Sequence, residues 1–194
     1  MALLDQLASQ FTGDALSQLS NQLGTDESTT SSAIGAALPM LVSALAKNAS
    51  SDEGAASLSN ALQKDHDGGI LDNLGGFLGS ADNGAGPAIL GHILGNKQSG
   101  AQAGISQISG MDAGKAGSLL ENLAPVVMGM LGKQQRSEGL DIGGLAGMLM
   151  GARNQAQSSG SPAMDMIGSL LDQDGDGSFL DDVGGMLGGL LGKK

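Results

Sequence analysis

Two similar stretches decide the fold: AALPMLVSALAKN at Ala36 to Asn48 and NLAPVVMGMLGKQ at Asn122 to Gln134. They align at a shift of 86 residues, which places Pro39 on Pro125. Both are rich in Ala, Leu and Met, which favour helices, and poor in the β-branched and aromatic residues that strands prefer. Each stretch therefore predicts a long apolar helix at the centre of a core, with a kink or a break at its proline.

The similarity extends outward from these stretches. The same shift places Gly24 and Asp26 on Gly110 and Asp112. A shift of 109 places DHDGGILDNLGGFLG, residues 65–79, over DGDGSFLDDVGGMLG, residues 174–188. The chain is therefore predicted to be an internal duplication. Its parts are a first helical repeat at 1–80, a linker at 81–87, and a second repeat at 88–194 with an insertion near 139–161.

Short amphipathic helices at a period of 3.6 residues fill both repeats, and nothing alternates at the period of a strand. The chain contains three phenylalanines and no Trp or Tyr, so its core is built from small and flexible side chains. The predicted fold class is all-α: an internally duplicated multi-helical bundle. The predicted helices lie near 2–11, 14–23, 27–48, 54–63, 69–79, 87–96, 101–109, 112–133, 139–151, 162–171 and 178–192, with a polar linker after residue 151.

Composition excludes several classes of function. A formal net charge of −11 opposes binding to nucleic acid, which requires Lys and Arg to neutralise phosphates. The absence of cysteine excludes disulfides and thiolate catalysis. The N-terminal residues lack the basic region of a secretory signal, and no apolar run reaches the ~20 residues of a transmembrane helix. These features predict a cytoplasmic protein with no transmembrane segment, and export without a signal peptide is the alternative.

The motifs resemble the YidB-like family of bacterial proteins of unknown function. The resemblance is carried by the N-terminal LLDQLASQF, by Leu38-Pro39-Met40 in the apolar helix, and by the C-terminal LLDQDGDGSFLDDVGGMLGGLLG. It implies an all-helical fold and no particular activity. The predicted duplication makes this chain longer than a single-copy member of the family.

The C-terminal motif has part of the pattern of a calcium-binding loop. Such loops place carboxylates at positions 1, 3 and 5, a Gly at 6, a backbone carbonyl at 7 and an acidic residue at 12. Position 12 here is Val183, so an acidic residue one or two places earlier must substitute. The candidate calcium ligands are Asp172, Asp174, Asp176, Ser178 and Asp182.

The same residues also suit a turn followed by a helix cap. Asp-Gly steps form tight turns, and Ser178 with Asp181 has the spacing of a capping box. The related loop at 65–72 keeps the Asp-x-Asp-Gly core but has Gln63 and Asn73 where the C-terminal loop has carboxylates. Because both loops keep the residues that a turn requires, the turn is the simpler interpretation, and calcium chemistry would rest on the second loop.

The predicted tail helix carries a stripe of glycines beside an apolar face. A Gly-x-x-x-Gly stripe allows another helix to approach closely. Residues 180–192 would form a helix of about 20 Å, too short for a bilayer core of about 30 Å. The helix is therefore predicted to pack within the domain or against a second subunit rather than to act on a membrane. Its candidate interaction residues are Gly184, Leu187, Gly188, Leu191 and Gly192.

Catalysis has little support in the sequence. His66 lies in an acidic turn and His92 in an apolar stretch, and no phosphate loop, nucleophile elbow or zinc spacing is present. The sequence therefore predicts no enzyme. It predicts a non-enzymatic helical interaction or self-assembly protein, whose partner is itself or another protein. The alternative is a calcium-binding module in which the Asp-rich loop orders the C-terminal helix.

Overall fold

A computed structural model describes residues 3–78 and 84–158, and every element of regular structure in these ranges is a helix. The all-α prediction is confirmed there. The helices are α1 Leu3–Gln10, α2 Asp14–Leu23, α3 Glu27–Asn48, α4 Asp52–Asp65, α5 Gly69–Asp72, α6 Leu74–Leu78, α7 Gly86–Leu94, α8 Gln98–Ser109, α9 Ala113–Glu138 and α10 Ile142–Ser158, with a 3-10 turn at Gly95–Lys97 between α7 and α8.

The two long helices, α3 and α9, form the centre of the core, as the sequence predicts. Both run without interruption through their prolines, as the helices predicted at 27–48 and 112–133 do, and the alternative of a break is not observed. A proline removes the hydrogen bond to the carbonyl four residues earlier. In α9 that carbonyl belongs to Glu121, and Gly86 of α7 lies so close to it that a Cβ on Gly86 would be 2.4 Å from the oxygen. Close helix packing thus covers the carbonyl that Pro125 leaves without its helical donor.

The starts of α3 and α9 are fixed by the same two residue types. Gly24 ends α2 and Gly110 ends α8, both in the left-handed conformation that glycine adopts without strain. Asp26 then caps α3, and its carboxylate accepts a hydrogen bond from the Thr29 N–H at 2.9 Å. Hydrogen bonds from the Thr29 backbone and side chain hold the pKa of Asp26 below its usual range. These are the positions that align at the shift of 86 residues, and the duplication itself stays a prediction.

Residues from both halves of the chain share one hydrophobic core. Besides their contact with each other, α3 packs against α1, α2, α4, α7, α8 and α10, while α9 packs against α2, α4, α5, α7 and α8. The helix that follows each long helix crosses to the other half, since α4 contacts α9 and α10 contacts α3. The halves are therefore held together by an exchange of their fourth helices.

Three sequence predictions differ from the structure. The segment ARNQAQS, predicted as a polar linker, continues α10 to Ser158 because Ala152 and Ala156 extend the buried stripe of Leu145 and Leu149 at helical spacing. The helix predicted at 69–79 is divided into α5 and α6 at Asn73, whose backbone is not helical (φ −138°, ψ 49°). In addition, α7 already begins at Gly86, inside the predicted linker.

By length and composition, one helix of the described ranges, α3, could cross a membrane. It is the core helix of the fold, and 61% of its most apolar window is buried inside the protein.

Candidate interaction surface

The predicted metal ligands and tail-helix contacts all lie in residues 159–194, outside the described part of the chain. They are Asp172, Asp174, Asp176, Ser178 and Asp182 for calcium, and Gly184, Leu187, Gly188, Leu191 and Gly192 for interaction. The related loop at residues 65–72 is described, and it shows the geometry of one such motif.

The loop at 65–72 is a turn closed by a carboxylate. Asp67 Oδ1 accepts a hydrogen bond from the Gly69 N–H at 2.9 Å, and Gly68 between them has a φ of +92°. Gly68 also precedes the first residue of α5. The carboxylate of Asp67 thus closes the turn before the next helix, as the turn interpretation predicts.

Residues 3–78 and 84–158 show no arrangement of side chains that would bind a metal ion. These ranges contain no group of three or more His, Asp or Glu side chains placed to hold an ion. In the 65–72 loop, Asp67 directs its oxygen at the backbone of the turn. The calcium prediction therefore depends on the C-terminal loop alone.

The 65–72 loop docks on two glycines of α9. A Cβ on Gly132 would lie 1.8 Å from the carbonyl oxygen of His66, and a Cβ on Gly129 would lie 2.5 Å from Cγ2 of Ile70. Real Cβ contacts are never this short, so any larger residue at Gly132 would force the backbones apart. The two glycines form a seat in which loop and helix backbones touch.

Polar contacts align α4 with α9 beside this seat. The buried Gln135 donates a hydrogen bond through Nε2 to Ser59 Oγ at 2.8 Å, and Arg136 donates to the Gln63 carbonyl at 2.8 Å. Arg136 thereby satisfies a carbonyl at the C-terminal end of α4, where the helix leaves its last carbonyls without partners. Contacts run from Ser59 on Gln135, through His66 on Gly132, to Ile70 on Gly129, so α4 and its loop run antiparallel to α9.

A surface of α10 differs from the solvent faces of ordinary helices. Ile142 and Met150, 44% and 37% exposed, are the exposed large hydrophobic residues of the described chain. In the same part of α10, Gly143, Gly147 and Gly151 recur at intervals of four and so share one side of the helix. We call these five residues the α10 outer face.

The α10 outer face carries no charge, since Arg153 is the single charged residue of α10 and lies outside it. A surface helix usually has charged or polar residues on the side opposite its buried stripe. A Cβ added at Gly147 or at Gly151 would meet no atom within 4 Å. The face therefore has open space above two of its glycines.

Comparison with known proteins places the chain in a family. A family described as "Bacterial protein of unknown function (DUF937)" matches residues 5–134 and 142–194. The chain belongs to this family. No curated protein and no solved structure matches it. The YidB-like resemblance is consistent with this assignment.

The two histidines of this DUF937 protein have different surroundings. His66 is half-buried at the end of α4, and burial lowers its pKa, while the nearby Asp65 carboxylate acts in the opposite direction. His92 is exposed, and its carbonyl accepts a hydrogen bond from Asn48 Nδ2 at 3.2 Å. Burial therefore favours the neutral form of His66.

Sequence reasoning missed two features of this DUF937 protein. The seat at Gly129 and Gly132 depends on tertiary contacts with Ile70 and His66, about 60 residues earlier in the chain, which spacing alone does not reveal. The α10 outer face had a signal, because its glycines have the Gly-x-x-x-Gly spacing that drew attention to the tail helix. These glycines lie in the helix predicted at 139–151, within the predicted insertion.

Proposed function

We propose that this protein works without catalysis, as a helical interaction protein that assembles with a second copy of itself through the α10 outer face. The observation that carries the proposal is the face itself: an uncharged strip of glycines bordered by exposed Ile142 and Met150. Apolar side chains around such a strip favour contact with another protein. The glycines would let a partner helix approach closely.

The glycines of the α10 outer face make the helix itself less stable, and this supports the proposal. A Gly inside a helix is about 1 kcal/mol less favourable than Ala. At Gly86, Gly129 and Gly132 a Cβ would clash, so packing within the chain accounts for the glycine. Gly147 and Gly151 have helical backbones and no neighbour within 4 Å, as Gly35 does, but unlike Gly35 they lie next to an exposed large apolar side chain, that of Met150. A partner that packs closely on α10 would account for these glycines.

Sedimentation velocity over a range of concentrations tests this function. The wild-type chain is expected to form a larger species as concentration rises, and Gly147→Leu is expected to weaken that association at least tenfold, because the side chain would hold the partner helix away. Gly35→Leu is the matched control, since Gly35 is also exposed, helical and free of neighbours within 4 Å. A wild-type chain that stays monomeric, or equal association of the two variants, would contradict the proposal.

The calcium alternative rests on the C-terminal loop and needs its own test. Isothermal titration with millimolar calcium would give heat and raise the melting temperature if the loop binds the ion. Asp174→Asn with Asp176→Asn would remove both effects. No heat and no change in melting temperature in the wild-type chain would exclude this function.

A further inference from the structure

We propose that two copies of the chain exchange α10, so that the α10 of each copy packs on the first half of the other. The inference goes beyond the proposed function, because it concerns the buried side of α10 and not its outer face. Its basis is the set of helices on which α10 packs, together with the geometry of the connection between α9 and α10.

Helices of the first half, residues 3–78, hold α10 in place. It packs on α3, α4 and α1, and α9, which precedes it in the chain, is not among the helices of the described ranges on which it packs. We call this surface of α1, α3 and α4 the α10 groove. The residues that α10 buries are Leu145, Leu149, Ala152 and Ala156. The contacts in the groove therefore do not depend on which copy of the chain supplies the helix.

Exchange of helices already occurs between the two halves of one chain. The first half supplies α4 to α9, and the second half supplies α10 to α3 and α4. Exchange of α10 between two chains would form these same contacts again. A dimer of this kind differs from two monomers mainly in the connection that leads to the exchanged helix.

The connection between α9 and α10 is Gly139, Leu140 and Asp141. Gly139 ends α9 with a φ of +61°, and the Leu140 N–H donates to the Gln135 carbonyl at 2.9 Å. Asp141 Oδ1 accepts a hydrogen bond from the Gly144 N–H at 2.7 Å at the start of α10. The end of α9 thus depends on the left-handed conformation of Gly139, which glycine adopts without strain.

A helical Gly139 would turn this connection into a hinge that opens. α9 would then continue into α10, and the 17 residues of α10 would extend about 26 Å beyond the present end of α9. In that position α10 would be out of reach of its own groove. The groove of a second copy would receive it, and the second copy would return its own α10.

Gly139→Ala in the full-length chain tests the exchange. A Cβ on Gly139 would meet no atom within 4 Å, so the substitution acts on the backbone. Alanine disfavours the left-handed conformation and favours the helix, which should favour the open hinge about tenfold. Because a dimer contains two hinges, its dissociation constant should fall about 100-fold, measured by light scattering after refolding at a range of protein concentrations.

Gly110→Ala is the matched control. Gly110 ends α8 with a φ of +74°, and a Cβ there would also meet nothing within 4 Å. α8, however, packs on α9, the helix that follows it in the chain. Gly110→Ala should therefore lose stability as Gly139→Ala does, without a tighter dimer.

A distance within one chain shows whether the dimer is exchanged. Spin labels on Gly35→Cys and Gly147→Cys would lie on α3 and α10, at exposed positions of a cysteine-free chain. In a Gly139→Ala dimer diluted with unlabelled chains, the distance between the two labels should be about 20 Å longer than in the monomer, because α10 has left its own α3. The label on Gly147 also blocks the α10 outer face, so association through that face does not contribute.

The outcomes separate the exchange from the proposed function. A tighter dimer of Gly139→Ala with the longer distance would support the exchange. A monomeric Gly139→Ala, equal association of Gly139→Ala and Gly110→Ala, or an unchanged distance in the dimer would overturn it. Adding Gly147→Leu should leave the Gly139→Ala dimer intact, and its loss would also overturn the exchange. Association of the chain with its native Gly139, and its response to Gly147→Leu, decide the proposed function independently.

Discussion

Replacing Gly132 by Ala would force the C-terminal end of α4 away from α9. The added Cβ would lie 1.8 Å from the His66 carbonyl oxygen and 3.3 Å from that of Leu62. Because both obstacles are backbone atoms, no rotamer change relieves the contact, and one backbone must shift by about 1.5 Å to reach an ordinary contact distance. Overpacking of this kind costs about 1–3 kcal/mol.

Two further terms set the size of the effect. The shift would lengthen the bonds from Gln135 to Ser59 and from Arg136 to the Gln63 carbonyl, each worth about 1 kcal/mol. Against this, Ala improves helix propensity by about 1 kcal/mol over Gly. The net expectation is a loss of about 2–4 kcal/mol in the free energy of unfolding.

Gly35→Ala is the matched control for this change. Gly35 lies in α3, exposed and with nothing within 4 Å of an added Cβ, so Ala should stabilise the protein by about 0.5–1 kcal/mol. Urea unfolding followed by circular dichroism would measure both midpoints. If Gly132→Ala were as stable as Gly35→Ala, the close seat of the 65–72 loop on α9 would be refuted.

Two further predictions concern caps and pH. Asp112→Ala should lower the free energy of unfolding by about 1 kcal/mol, because Oδ1 of Asp112 accepts a hydrogen bond from the Gly114 N–H at 2.9 Å at the start of α9. Asp112→Asn keeps an acceptor and should cost less. Equal losses for the two variants in urea unfolding would contradict the cap. His66 has a pKa below its ordinary 6.5, so the unfolded chain binds more protons, and stability should be complete above pH 6.5 and fall as the pH drops below it. In a plot of melting temperature against pH, His66→Gln should reduce the slope below pH 6.5. An unchanged slope would contradict the role of His66 in this pH dependence.

The sequence predicts the helices, but it does not predict which helices pack against each other. Helical periodicity and the Asp and Gly caps predicted α3 and α9 because these signals are local. The sequence predicts both helices through their prolines, but it does not predict the tertiary contact by which Gly86 covers the Glu121 carbonyl. Likewise, ARNQAQS has polar residues typical of a linker, and only the packing of α10 on α3 buries Ala152 and Ala156 and makes the segment helical.

In the candidate site, too, the local features were predictable from sequence and the contacts between distant segments were not. The turn at Asp67 follows from Asp-Gly chemistry within a few residues and was predicted from sequence. The seat on Gly129 and Gly132 arises from a contact between distant segments, which a glycine spacing does not specify. Glycine occurs in this chain for more than one reason. At Gly132 it allows two backbones to pack closely, whereas at Gly147 a Cβ would meet open space.

Oxidation of Met150 tests most directly whether the α10 outer face is a docking surface. The full-length chain would be treated with dilute peroxide, and Met150 sulfoxide would be followed by peptide mass spectrometry in the wild type, in Gly147→Leu and in the urea-unfolded chain. Met150 is 37% exposed in the described fold, so docking on the face should bury it. We predict oxidation at least tenfold slower in the wild type than in either reference. Equal rates in the wild type and Gly147→Leu would show that nothing covers the face, and would contradict the account.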